Sequence, residues 1–561
     1  MHQNKADRVD IKAPELYGWN LLAAANAVEY TPLLNQKLAA DAGLLKLRKY
    51  DDIEDHPTMV PIALDEIHRN TNLDEPLVKL NPEHKSVSPF LSFWDFHNAY
   101  TNFETTPTKV AESLLVKLEA SKSMNYMRFL SSDILQQAEQ STLRYKSKNP
   151  LSQLDGVFVA VKEEVDIQGL ETKSGTSFIN DGKPALQDST IVAKLKKAGA
   201  IVVGSTVMNE LGWDTFTVNP NTGVPKNPYK KVLHSCGGSS GGCSGSVAAG
   251  LFPFTIGADG GGSIRIPSAF CGLYGLKTTW GRVSAYGGAT LDPSLGSYGP
   301  IAATADDMTI AYSAIAGPDP KDPYTLQQPS VSLADYEKCS DLSDLTIAIV
   351  PEWNKLSNEV AILEKFDQVQ TYLKQLGARI VEIDIPDLEL AHTAHTVTIC
   401  SEMSNFASKF SHKRSSFLAY TRIMSVVAGT LEARDYIRAQ QVRTRMMNHL
   451  SRYFKDQGID LILTPTTAVL SPIIPEKAMS YGMMNSKLTV SSMVYAVLAN
   501  LTGIPAVNIP VGYHDDLPIG LQFMASWWNE ALLCRIAKAI ERLPTVERER
   551  PKEHWFADNI L

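Results

Sequence analysis

The sequence predicts an α/β protein, with helices on both faces of a β-sheet. Two strand–helix–strand units and a pair of late apolar runs carry that prediction. The first unit reads "GVFVAVK", "DSTIVAKLKKAGA" and "IVVGSTV". The second reads "LTIAIV", a helix around "EVAILEKFDQVQTYLKQLG", and "RIVEIDI". Composition agrees, since 44% apolar and 20% charged residues are ordinary for a globular chain with a deep core.

Taken in chain order, residues 1–90 carry several prolines and no long periodicity. They read as an N-terminal extension, wrapped on the main body or partly mobile. The pattern sharpens from "SFWDFHNAY" onward. In "TTPTKVAESLLVKLEA", Thr106 suits an N-cap, Pro107 the first helical position, and Val110, Leu114 and Leu118 share one face. The first strand–helix–strand unit follows, with Gly199 as its helix stop. After the second unit come a long helical pattern over 435–454, the strand "DLILTPT", and the paired runs "AVNIPVG" and "PIGLQFMA". No glycine–proline linker or fixed-period repeat splits residues 91–545, so they read as one domain, with 546–561 as a tail.

A net charge of −8 counts against the concentrated basic face of a nucleic-acid binder. The run "KLKKAGA" reads as the solvated side of a helix. Six cysteines in this length are too few for a disulfide framework. Cys236, Cys243 and Cys271 lie close in sequence without a CxxC pair or paired histidines, so no metal is expected. The first thirty residues lack a basic start followed by an apolar core. No run approaches about 18 unbroken apolar residues. The expectation is a cytoplasmic protein without signal peptide or membrane span, which leaves peripheral membrane contact open.

The densest chemistry lies in "GADGGGSIRIPS", residues 257–268, where Ser263 follows three glycines and an aspartate. Successive N–H groups on bare backbone can converge on one concavity and serve as an oxyanion hole. A second glycine-rich loop, "SCGGSSGGCSGSVAAG", opens an apparent helix. Lys162 ends the apolar strand "VFVAVK". A lysine withdrawn into a water-poor site loses part of its preference for charge and can act as a base. Glycine loops alone are commonly turns or phosphate cradles, and a strand-end lysine is usually a solvated cap. The combination is far more specific than its parts.

The run "GGSSGGCSGSVAAGLFPFTIGADGGGSIRIPSAFCGLYGLKTTWGRVS" resembles the signature of the amidase signature family. The resemblance extends to "LDGVFVAVKEEVD", "GPIAATADDM", "AIAGPDPKDP", "LTGIPAVNIPVG" and "PIGLQFMA", across residues 91–545. It implies a mixed, twisted β-sheet core and a Ser-Ser-Lys triad in place of a histidine triad. Carried over by motif, Ser263 is the nucleophile, Ser239 the bridging serine on a cis peptide bond, and Lys162 the base. The 24-residue step from Ser239 to Ser263 fits the family pattern. Gly260, Gly261, Gly262 and Ser263 match its oxyanion-hole backbone, and Gly212 with Trp213 aligns with positions that meet substrate, the alternative for Trp213 being a core aromatic without ligand contact. The implied reaction is amide hydrolysis through an acyl-enzyme, with no cofactor and no metal. Cys236, Ala258 and Thr278 depart from the pattern without removing a catalytic group. Asp259 and Arg265 are expected to order the nucleophile loop.

Within the family, "GADGGGS" and the extension of about 90 residues resemble the plant-type fatty-acid amide hydrolases. The expected substrate is a lipid amide such as an N-acylethanolamine, and a homodimer stays open. The alternatives are a general small-amide amidase and an amidotransferase A-type glutaminase subunit. Two readings lie outside the family. "GGSSG" satisfies G-x-S-x-G and would make Ser239 the nucleophile of an α/β-hydrolase, provided a strand leads into it. A non-catalytic glycine-loop scaffold would explain the glycines but neither Ser263 nor Lys162.

Overall fold

A computed structural model describes residues 15–561, except 51, 71, 73–76, 87, 358, 543–545 and 547. Eleven strands form one mixed sheet: β1 Met127–Leu130, β2 Phe158–Lys162, β3 Ile201–Thr206, β4 Phe254–Asp259, β5 Tyr274–Lys277, β6 Ser297–Ala302, β7 Thr346–Ile349, β8 Arg379–Glu382, β9 Leu461–Pro465, β10 Ala506–His514 and β11 Leu517–Ala525. Their spatial order is β1-β3-β2-β4-β6-β5-β10-β11-β9-β7-β8. Both strand–helix–strand units are present, since β2 runs parallel to β3 and β7 parallel to β8. β10 and β11 form an antiparallel hairpin, turned by Asp515 and Asp516 at φ +48° and +60°.

Local chemistry explains the elements. The Thr106 hydroxyl accepts from Lys109 N–H at 3.3 Å and caps helix Pro107–Ala120, which buries Val110, Leu114 and Leu118. Ser189 caps helix Thr190–Lys197 by accepting from Val192 N–H at 3.2 Å. Gly199 ends that segment at φ +92°, where an added Cβ would lie 2.8 Å from Asp155. Along the strands, alternate side chains enter two separate cores. Val507, Phe523 and Leu461 pack in one, and Ala506, Met524 and Ile462 in the other. Helix Glu530–Glu541 belongs to the first core; helices Leu388–Ser408, Ala419–Ala428 and Ala433–Ser451 belong to the second. Both faces are therefore covered, as expected for buried strands flanked by helices.

Residues 15–90 contribute helices Gly18–Glu29 and Pro32–Asp41 and contact the second core's helices. Arg422 pairs with Glu29, and Arg48 pairs with Asp435 at 2.6 Å. The Trp527 and Trp528 indoles donate to the carbonyls of Pro61 and Glu66. Residues 1–14 of the extension lie outside the described residues. Among the described residues, no helix is long and apolar enough to cross a membrane. All six cysteines are unpaired and buried.

The topology places the chemistry. β3, β2 and β4 are adjacent and mutually parallel, so their carboxyl ends open on one edge of the sheet. That edge is where open α/β sheets form their crevices. Lys162 closes β2, the glycine-rich loop carrying Ser263 follows β4, and the turn Glu210–Gly212 follows β3.

Candidate active site

A narrow cleft at that edge is lined by Lys162, Glu164, Leu211, Gly212, Ser239, Ala258, Gly260, Gly261, Ser263, Leu291, Asp292, Ile399 and Met403. Six of the seven expected site residues thus meet there, although 101 residues separate Lys162 from Ser263. Gly262 does not line the cleft. Trp213 packs in the second core instead of joining Gly212 at the cleft.

Lys162 is buried, and its Nζ donates to Ser239 Oγ at 2.8 Å. The same Nζ lies 3.2 Å from the Glu164 carboxylate and 3.5 Å from the Ala258 carbonyl. Ser239 is buried and follows a cis peptide bond from Gly238. Helix Gly241–Ala248 begins two residues later. No strand leads into Ser239; residues 226–235 hold only isolated bridges, which removes the structural context the α/β-hydrolase alternative requires. Gly212 has φ +75°, and an added Cβ would sit 3.3 Å from Ser239 Oγ. A side chain there would be strained by the positive φ and would press on the serine hydroxyl.

Ser263 is partly exposed to the cleft. Its loop is built around Asp259, at the end of β4. Asp259 Oδ1 accepts from Gly262 N–H at 2.7 Å and Oδ2 from Ile264 N–H at 3.1 Å. Arg265 adds a bidentate pair at 2.9 and 3.0 Å, and Asn500 donates to Oδ1 at 2.9 Å. Burial pushes the Asp259 carboxyl upward, but the Arg265 guanidinium, with the Asn500 hydrogen bond, outweighs it and holds the group well below the usual carboxylate range. Arg265 is itself fixed by Gln522 Oε1 and Asn500 Oδ1, both at 2.6 Å. Among the described residues, the N–H groups of Gly260, Gly261 and Ser263 donate to no protein acceptor. Those three backbone donors are free to meet an anion; Gly262 N–H is already committed.

Two polar side chains lining the cleft, Glu164 and Asp292, and a third in contact with its backbone, His395, escaped sequence reasoning. "VAVKEEVD" offers two glutamates, and nothing local distinguishes them. Glu163 turns to Arg128 and Gly175, while Glu164 pairs with Lys162. Asp292 comes from the loop before β6. Burial first, then the Glu164 carboxylate, raises its carboxyl well above the ordinary range. His395 Nε2 lies 2.7 Å from the Gly260 carbonyl. The available signal was the helical spacing of His395, Ile399 and Met403 in Leu388–Ser408, which puts all three on one face.

The loop's ion pair predicts a stability effect. Replacing Arg265 with alanine should lower stability by about 3–5 kcal/mol, because Asp259 would remain buried without its cation. Chemical denaturation checks this; a loss below about 1 kcal/mol would show that the pair does not hold the loop.

A mixed sheet with a glycine-rich serine loop and a buried lysine–serine pair at its carboxyl edge is the architecture of a serine-type amidohydrolase. The Amidase family model matches residues 109–534, and the chain belongs to the amidase family. It is 33% identical over 580 residues to the fatty acid amide hydrolase of Arabidopsis thaliana, covering 96% of this chain and 94% of that protein. It is 31% identical over 441 residues to the A-type component of the glutamyl-tRNA(Gln) amidotransferase of Halothermothrix orenii, covering 73% and 90%. The native peptide amidase of Stenotrophomonas maltophilia superposes with a TM-score of 0.69 at 23% identity, covering 82% of this chain and 98% of that one. That likeness extends to the fold.

Proposed function

We propose that this amidase hydrolyses fatty-acid amides through an acyl-enzyme on Ser263. The observation that carries the mechanism is the 2.8 Å hydrogen bond between buried Lys162 and Ser239, in a cleft that Ser263 also lines. The Ser239 hydroxyl passes its proton to neutral Lys162 as it takes the proton of Ser263. Ser263 Oγ then bonds to the amide carbon, and the carbonyl electrons move onto oxygen. The free N–H groups of Gly260, Gly261 and Ser263 stabilise that oxyanion. Collapse breaks the C–N bond, and the proton held by Lys162 returns through Ser239 to the leaving nitrogen. Water repeats the sequence on the acyl-enzyme, releasing the acid.

The substrate class rests on two supports. The fatty acid amide hydrolase of Arabidopsis thaliana matches nearly end to end, whereas the amidotransferase component matches 73% of this chain. The cleft is flanked by Leu211, Leu291, Ile399 and Met403. It encloses only about 30 Å³, room for about one water, so an acyl chain enters by displacing these side chains. Met403 is the most adaptable of them. Each CH₂ buried contributes about 0.8 kcal/mol, so kcat/KM should climb by roughly threefold or more per carbon before levelling off. The test is a hydrolysis panel of N-acylethanolamines and primary amides of rising chain length, with a short amide and glutamine. A flat profile, or a preference for glutamine, overturns the lipid assignment.

A further inference from the structure

We infer that His395 is a positioning residue for the oxyanion hole, its Nε2–H holding the Gly260 carbonyl so that the Gly261 N–H faces the reacting carbonyl. This inference rests on the assignment of Ser263 as nucleophile.

The hydrogen-bond roles follow from elementary chemistry. His395 Nε2 is 2.7 Å from Gly260 O, and a carbonyl oxygen only accepts, so Nε2 carries the hydrogen. The Gly260 carbonyl and the Gly261 N–H belong to one peptide unit. Among the described residues the only cis peptide is Gly238–Ser239, so this unit is trans and its C=O and N–H point in opposite directions. A donor that fixes the carbonyl on one side therefore aims the N–H to the other. Gly260 and Gly261 both line the cleft.

The loop is held at two points. Asp259 grips Gly262 N–H at 2.7 Å, and His395 grips Gly260 O. Gly261 N–H lies between them and donates to no protein acceptor among the described residues. The imidazole also packs on the backbone: a Cβ on Gly261 would lie 3.1 Å from His395 Cε1. The peptide has little room to rotate while the ring is in place. His395 is buried, and burial pushes its pKa down to about 4, so the ring meets the carbonyl as neutral imidazole. A glycine-rich segment has more rotational freedom than any other, so an external tether is what such a donor array requires.

The experiment compares His395→Ala and His395→Gln with the unmodified protein, on a long-chain anilide and a long-chain trifluoromethyl ketone. The ketone forms a tetrahedral adduct whose oxyanion occupies the hole. His395→Ala should lower kcat about 10–100-fold with KM changed less than about threefold, and weaken the ketone by a matching factor. His395→Gln, whose amide can still donate to the carbonyl, should recover at least about tenfold of the loss. A fluorophosphonate label on Ser263 in the unmodified protein establishes the nucleophile independently. Absence of that label overturns the nucleophile assignment and the inference with it. With the label present, unchanged kcat in His395→Ala, or an unchanged ketone affinity in either variant that has lost activity, overturns the role of His395 alone. Should His395→Ala fail to fold, the glutamine variant decides: near-normal kcat and ketone affinity support the tether, and loss of both despite a normal melting temperature overturns it.

Discussion

Replacing Ser263 with alanine is expected to lower amide hydrolysis by about 10⁴-fold or more, with the fold and melting temperature unchanged. The stability half of this expectation is structural. Ser263 is partly exposed to the cleft, and its hydroxyl makes no hydrogen bond to another described residue. Removing it therefore orphans no buried partner, and the change should stay within about 0.5 kcal/mol. The activity half follows from the chemistry, since the acyl-enzyme has no other nucleophile so placed. Ser239 also lines the cleft, but it is buried and its hydroxyl is bonded to Lys162. Steady-state rates and a thermal melt on one preparation check both halves. Retention of more than about one hundredth of the normal rate, with a normal melt, would remove Ser263 from the mechanism.

Lys162→Met should be nearly as damaging, by about 10³-fold or more, because it removes the proton acceptor and keeps the apolar stem. Here stability will also move. Lys162 Nζ is 3.2 Å from Glu164, and both side chains are almost wholly buried. Deleting the amine leaves the buried Glu164 carboxyl without its polar partner, at a cost of about 1–3 kcal/mol. The double variant Lys162→Met with Glu164→Gln separates the effects. It should regain most of the lost stability and none of the lost activity. Recovery of activity along with stability would make Lys162 a structural ion-pair partner, and the base would have to be sought elsewhere.

Much of the architecture was legible locally. Apolar runs bounded by caps and glycines specified β2, β3, β7, β8 and β9, and the Asp515–Asp516 turn joins the two runs that became β10 and β11. Four strands were not. β4, "FTIGAD", was read only as the approach to Ser263. β6 carries Gly299 and Pro300 within "SYGPIA", residues that normally argue against a strand. In the folded sheet a Cβ on Gly299 would lie 1.9 Å from the Leu276 carbonyl, so the glycine marks close approach by β5. β5 and β1 have four residues each, as β7 and β8 do, but stand in no strand–helix–strand unit that would mark them.

The sequence by itself determined the class of chemistry. Two glycine-rich loops and a strand-end lysine, through their resemblance to the amidase signature, pointed to Lys162, Ser239 and Ser263 without any coordinates. Motifs of this kind are contiguous, and their backbone demands are written in glycines at fixed offsets. What the tertiary structure alone decided is the surroundings of those three groups. It placed Glu164 rather than Glu163 on Lys162, brought Asp292 and His395 against Gly260, and committed Gly262 N–H to Asp259. It also sent Trp213 into the core beside the cleft. The reason is one of range. Local sequence reports the period and termini of each element, over about four residues. Which helix crosses which loop depends on an eleven-strand order, and His395 reaches Gly260 across 135 residues of chain that carry no local record of the meeting.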